Sequence, residues 1–187
     1  MRNVKVHIAP FEALQAGEVG FKRGLYALYG NKRNINNTWD DERFARTPFW
    51  GKTIESAIAE LAVAKVLGTY LCPTLWATPP SPKQPDIEPD IEVRWISTYA
   101  KHSDCIVRTT DIPTQKVVSV VGSLPDYVVR GWIGVEEAWK HEELFEGRGV
   151  GDPVFWIPES MLHDLDDLVV HRGIATEPVP FDDGLPF

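Results

Sequence analysis

The stretch Lys-Thr-Ile-Glu-Ser-Ala-Ile-Ala-Glu-Leu-Ala-Val-Ala-Lys-Val-Leu, residues 52–67, constrains this chain more than any other. It is rich in alanine and apolar on nearly every side. Gly68 follows it, the residue type that ends helices in a left-handed turn. A helix with so little polar surface must be covered by other layers of structure. At about 100° per residue, Glu60 shares a face with Ala57, Val63, Ala64 and Leu67. Its carboxyl is therefore not on a solvated stripe, whereas Glu55 and Lys65 lie roughly opposite. An acid so placed calls for a metal cation or a buried base, and Arg94 is the candidate base.

The rest of the chain supplies the covering layers. Val4, Val6 and Ile8 alternate with polar residues, which predicts a strand over 3–8. Pro10 stands where a first helical turn tolerates proline, and Leu14, Phe21, Leu25 and Leu28 recur at helical spacing over 11–29. Gly17, Gly20 and Gly24 weaken that helix. They imply either close packing on another backbone or a break near Gly17. Residues 30–50 are polar and loop-like, with Lys32, Arg33, Arg43 and Arg46 lending positive character. The five prolines of 72–85 enforce irregular chain. Strands are predicted over 91–99, 105–108, 116–121 and 127–133, the last after a turn at Leu124-Pro125-Asp126. A short helix over 136–143, a strand over 154–157 and a helical turn over 159–165 complete the order. Helices first, then hairpin-linked strands, then short helices indicate an α+β (mixed α/β) fold. Its central, largely antiparallel sheet is flanked by helices. Residues 1–175 form one globular domain in this reading, and 176–187 a flexible acidic tail.

Composition excludes several classes. A chain of 187 residues with 43% hydrophobic content can bury one sizeable core. Cys72 and Cys105 have no metal-ligand spacing, and so few cysteines suit a reducing cytoplasm. The first eight residues contain no long apolar run, so neither a signal peptide nor an anchor is expected, and no later segment could span a membrane. A net charge of −8 disfavours nonspecific nucleic-acid binding by the whole surface. His7, His102, His141, His163 and His171 show no ligand spacing, although His102 follows the acidic strand and could touch a phosphate. No Ser-His-Asp arrangement, Walker-type loop or GxGxxG loop is present, and the glycines of 147–151 read as a plain loop. Trp95 and Trp132 have strand parity for burial.

Chemistry concentrates in Pro85-Asp86-Ile87-Glu88-Pro89-Asp90-Ile91-Glu92-Val93-Arg94-Trp95, where four carboxylates and a guanidinium fall within nine residues. Val93 and Trp95 point one way along the strand, Glu92 and Arg94 the other. Clustered acids raise one another's pKa unless a cation joins them. Magnesium binds to a few carboxylate oxygens and keeps several waters. Glu60, Pro85-Asp86 and Glu92-Val93-Arg94 together resemble the PD-(D/E)XK nuclease superfamily. Glu60-Leu61-Ala62-Val63-Ala64-Lys65-Val66-Leu67-Gly68, Glu92-Val93-Arg94-Trp95 and Gly131-Trp132-Ile133 look similar to phage and bacterial proteins considered nuclease-like. The resemblance spans roughly residues 15–165 and implies a restriction-endonuclease-like core. It implies a Mg²⁺- or Mn²⁺-dependent phosphodiesterase (deoxyribonuclease) acting in DNA replication, recombination or repair, with a phage association. Asp86 and Glu92 would be metal ligands, Glu60 a ligand or water-orienting acid, and Arg94 a phosphate contact. Arg94 stands where the family has Lys, and an arginine cannot act as a base near neutrality. Asp90 is a rival to Asp86, which is preferred because Glu88-Pro89-Asp90 then makes the turn.

The end of the chain carries a second resemblance. Phe181-Asp182-Asp183-Gly184-Leu185-Pro186-Phe187 looks like the acidic tip of bacterial single-stranded-DNA-binding proteins. In such a tip Phe187 enters an apolar pocket beside Leu185 and Pro186, its carboxylate meets a base, and Asp182 and Asp183 steer the approach. This implies an alternative role: a non-catalytic single-stranded-DNA-binding or replication-accessory protein that recruits replication or repair partners through the tip.

Overall fold

The computed structural model describes residues 3–30, 49–71, 85–100, 102–146 and 153–171. The expectations for Lys32, Arg33, Arg43 and Arg46, for Cys72 and the prolines before Pro85, for the glycines of 147–151 and for the tail fall outside these residues.

Strand β1 (Val4–His7) leads into helix α1 (Pro10–Gly30). The helix opens with Pro10 in its first turn, and the Ala9 N–H donates to Glu12 Oε2 at 2.7 Å, as in one half of a capping box. It continues through Gly17 without a break. Gly20 explains why the glycines are there. A Cβ at that position would lie 2.4 Å from the Thr53 carbonyl oxygen on helix α2 (Phe49–Val66). Thr53 sits beside Gly20 and Lys65 reaches Glu12 at 2.7 Å, so the two helices run antiparallel. Gly68, at φ +60, closes α2 as expected. Its N–H donates to the Lys65 carbonyl and the Thr69 N–H to the Ala64 carbonyl, the two bonds of a Schellman motif.

The fold is α+β. Strands β2 (Ile91–Ile96), β4 (Lys116–Ser123) and β5 (Asp126–Gly134) join β1 in a four-stranded sheet of order β1-β5-β4-β2. The β1–β5 and β5–β4 pairs are antiparallel, but β2 lies parallel to β4, with Ile91 opposite Lys116 and Ile96 opposite Val121. Strand β3 (Cys105–Arg108) does not continue that sheet. It pairs with β7 (Val154–Ile157), which also pairs with the short β6 (Phe145–Glu146), in a second, antiparallel sheet. The expected succession of hairpins therefore holds only for β4–β5. A chain that leaves for a second sheet between β2 and β4 can return parallel, which a hairpin cannot do.

The expected boundaries of β3 and β7 match those found. Strand β2 stops at Ile96, short of Tyr99, because Ser97–Ala100 form a turn closed by the Ala100 N–H to the Ser97 carbonyl. The helix expected over 136–143 divides into α3 (Val135–Ala138) and a 3-10 turn at Glu142–Leu144. After another 3-10 turn, Glu159–Met161, helix α4 (Leu165–His171) ends the described chain.

The four-stranded sheet has a core on each face. Ile91 and Val93 of β2, Val118 and Val120 of β4, and Tyr127 and Val129 of β5 pack with Ile58, Ala62, Val63 and Leu67 of α2. Val117 and Ile133 pack on the other face with Val107, Phe155 and Ile157 of the second sheet. A register shift opposite Ser119/Val120 adds one residue, Arg130, to β5. This bulge reverses the strand's parity. Odd-numbered Tyr127 and Val129 face α2 before it; odd-numbered Ile133 faces the second sheet after it. Trp95 and Trp132 are partly buried against the helix-side core, and their ring N–H groups donate to the Gly122 and Asp164 carbonyls. No helix among the described residues is long and apolar enough to cross a membrane.

Candidate metal and phosphate site

The acidic stretch divides as its prolines suggest. Ile87 and Ile91 exchange two backbone hydrogen bonds of 3.0 Å around a turn at Glu88–Asp90. Asp90 leaves the cluster at this turn, its carboxylate hydrogen-bonded to Lys116 of the neighbouring strand. Asp86 stays beside β2, where its Oδ2 accepts the Val93 N–H at 2.9 Å.

Three predicted acids approach one another around β2, but from different sides. Glu60 comes from α2 on the helix face. Glu92 points to the opposite face, because Ile91 and Val93 are packed against α2 and side chains alternate. Asp86 is bonded to the backbone of the strand itself. Burial, then the charges of Glu60 and Glu92, push the Asp86 carboxyl well above the ordinary aspartate range, against the Val93 hydrogen bond and Arg23. Burial also raises Glu60, with Glu92 adding to the rise, while Arg23 offsets part of it.

Glu60 is paired with an arginine, but not with Arg94. Arg23 of α1 places Nη1 at 2.6 Å from Oε1 and 2.7 Å from Oε2, and the two side chains are 4% and 2% exposed. The sequence does hold a sign of this partner. Arg23 lies three residues after Gly20, near the side of α1 that meets α2, where a base has no access to water.

Arg94 is held by partners within the protein. Its Nη1 donates to Glu92 Oε1 at 2.6 Å and its Nη2 to both Asp111 oxygens at 2.7 and 2.8 Å. Its Nε donates to the Ile106 carbonyl of β3 at 3.1 Å. Asp111 was not foreseen; its carboxylate also accepts the Arg108 N–H, and it is buried in the turn after β3. Glu92 and Asp111 more than offset the cost of burying Arg94, so its pKa rises. The guanidinium links the two sheets and fixes Glu92 in place.

Among the described residues, four carboxylates (Glu60, Asp86, Glu92, Asp111) and two guanidinium groups (Arg23, Arg94) gather around β2. No group of three or more His, Cys, Asp or Glu among the described residues is arranged to hold a metal ion. Arg23 donates to both Glu60 oxygens, Arg94 to one Glu92 oxygen and the Val93 N–H to one Asp86 oxygen.

The described histidines do not converge on the site. His7, His141 and His163 pair with Asp126, Glu143 and Glu137, and the His102 ring meets Trp156 of β7 at a tilt. Cys105 is buried, and burial pushes its thiol up to about 12 against the pull of Arg94. A cleft of about 530 Å³ lined by Asp104, Glu143, Glu146 and Trp156 contains none of the clustered residues. No protein-family model, curated protein or solved structure matches the chain. Function is therefore inferred from the residues and their geometry.

Proposed function

We propose that the chain is a metal-dependent DNA phosphodiesterase of nuclease type, with a restriction-endonuclease-like core, acting in phage-associated replication, recombination or repair. The observation that supports the reading is the convergence of Glu60 and Glu92 on buried Asp86, whose carboxyl their charges help to raise. Asp86 and Glu92 hold Mg²⁺ or Mn²⁺. The bound cation supplies charge stabilisation for a phosphodiester and acidifies its water. Arg94 orients Glu92, and Glu60 lies behind the pair as a second-row acid. DNA as the substrate rests on the resemblance of Glu60, Pro85-Asp86 and Glu92-Val93-Arg94 to the PD-(D/E)XK pattern.

A second reading has its own support. Both arginines are paired with acids of the cluster. A non-catalytic, single-stranded-DNA-binding accessory protein requires no cation at this cluster. Its partners would dock on Asp182, Asp183, Leu185, Pro186 and Phe187, which lie outside the described residues. One experiment separates the readings. Labelled single- and double-stranded DNA is incubated with Mg²⁺ or Mn²⁺, using the wild type and Glu92→Ala. The enzyme reading expects cleavage that falls at least about a hundredfold in the variant. DNA binding without cleavage under any condition would replace it with the accessory reading.

A further inference from the structure

The large apolar residues whose spacing announced α1 lie on the side turned away from α2. Gly20 meets Thr53 and Arg23 meets Glu60, so the side of α1 that carries them, with buried Ala16 and Gly24, faces α2. Phe11, Leu14 and Phe21 are instead 60%, 75% and 45% exposed, and Leu25 is partly exposed. At about 100° per residue, Phe11, Leu14, Glu18, Phe21 and Leu25 fall within an arc of about 80° on the opposite side. The steps between them are 3, 4, 3 and 4 residues. That alternation presents a straight seam to another helix. An apolar stripe exposed on a protein without a membrane-spanning helix among its described residues marks an interaction surface.

Charge selects what the seam fits. Glu18 stands in the middle of the stripe with Lys22 one turn on, the two joined at 2.6 Å. Two parallel copies would set Glu18 against Glu18. Two antiparallel copies set Glu18 of each against Lys22 of the other. In that register Leu14 meets Leu25 of the second copy, and the two Phe21 side chains lie on either side of the twofold axis. The stripe is thereby complementary to itself, the condition for a closed twofold interface. We propose that the outer side of α1 is a homodimer interface, in which two copies of the chain pair α1 with α1 antiparallel through Phe11, Leu14, Phe21 and Leu25 around reciprocal Glu18–Lys22 contacts. The interface needs no cation at β2, and an enzyme or an accessory protein could use it alike.

The test is sedimentation velocity on the full chain from about 1 to about 100 µM, with folding of each variant checked by thermal unfolding. The wild type passes reversibly from one to two chains per particle as concentration rises. Leu14→Glu puts a charge in the seam and raises the dissociation constant at least about thirtyfold. Glu18→Lys and Lys22→Glu each set like charges across the axis and weaken the dimer about tenfold. An equimolar mixture of these two variants restores it, because each then meets its opposite. Should Leu14→Glu fail to fold, the two charge variants and their mixture carry the test. A wild type that stays monomeric throughout overturns the interface; a lowered thermal midpoint in Leu14→Glu would then show the stripe to be covered by the protein's own chain. A dimer that survives Leu14→Glu overturns it by placing the contact elsewhere. Charge variants that associate as the wild type does, with no gain on mixing, overturn the antiparallel pairing.

Discussion

Two arginines flank β2, one on each face of the sheet, and they serve different ends. Arg94 is bound on every side: Glu92 along its own strand, Asp111 in the turn after β3 and the Ile106 carbonyl on the second sheet. Arg23 donates to both oxygens of Glu60, and the charge of Glu60 in turn helps to raise the Asp86 carboxyl. The first arrangement reads as a structural junction. The second is a charge balance that a ligand could alter. A buried ion pair thus says little about purpose until the neighbours of both partners are counted.

The largest expected effect tests the structural side of this contrast. Arg94→Met takes the guanidinium away from buried Asp111 and from Glu92, and should cost about 3–5 kcal/mol in urea unfolding. A loss below about 1 kcal/mol would mean that the junction is not what joins the sheets. Asp86→Asn should act in the opposite direction. The amide oxygen can still accept the Val93 N–H, and the repelled charge is gone, so stability at pH 7 should rise by about 1 kcal/mol. The sign follows from linkage. The folded-state pKa of Asp86 is raised above its unfolded value. Its contribution is therefore fully present below about pH 4 and lost as the pH rises through the folded pKa. The wild type should weaken over that rise relative to Asp86→Asn. Parallel stability–pH curves for the two proteins would show that the acid is not strained. The smallest effect belongs to the half-exposed pair of Lys65 with Glu12, which joins the same two helices away from the site. Lys65→Ala should cost about 0.5 kcal/mol, less in high salt, by thermal unfolding.

What could be read from the sequence was local. The run of 52–67 fixed a buried helix, Gly68 its end, and the alternation of 91–95 the two faces of β2. Glu60 was seen to need a partner because its neighbours at helical spacing are alanine, valine and leucine. The turn at Glu88–Asp90 separated Asp86 from Asp90 before any coordinates did. What could not be read was pairing over distance. Nothing near Arg94 announces Asp111, an acid among turn residues, and Arg94 itself looked like the nearest base for Glu60. The parallel union of β2 with β4 depends on β3 leaving for another sheet, and neither strand's composition encodes that departure. The bulge at Arg130 was hidden for the same reason: the strand pattern is apolar on both sides of it, and only the facing residues show where parity reverses.

The position of β2 at the margin of its sheet has a consequence for how the molecule behaves in a crowd of its own copies. A bare margin offers free backbone donors to any extended chain and invites self-association. Here, among the described residues, Asp86 accepts the Val93 N–H and so occupies one donor of that margin. The acid beside the strand therefore also blunts an edge that another strand could use.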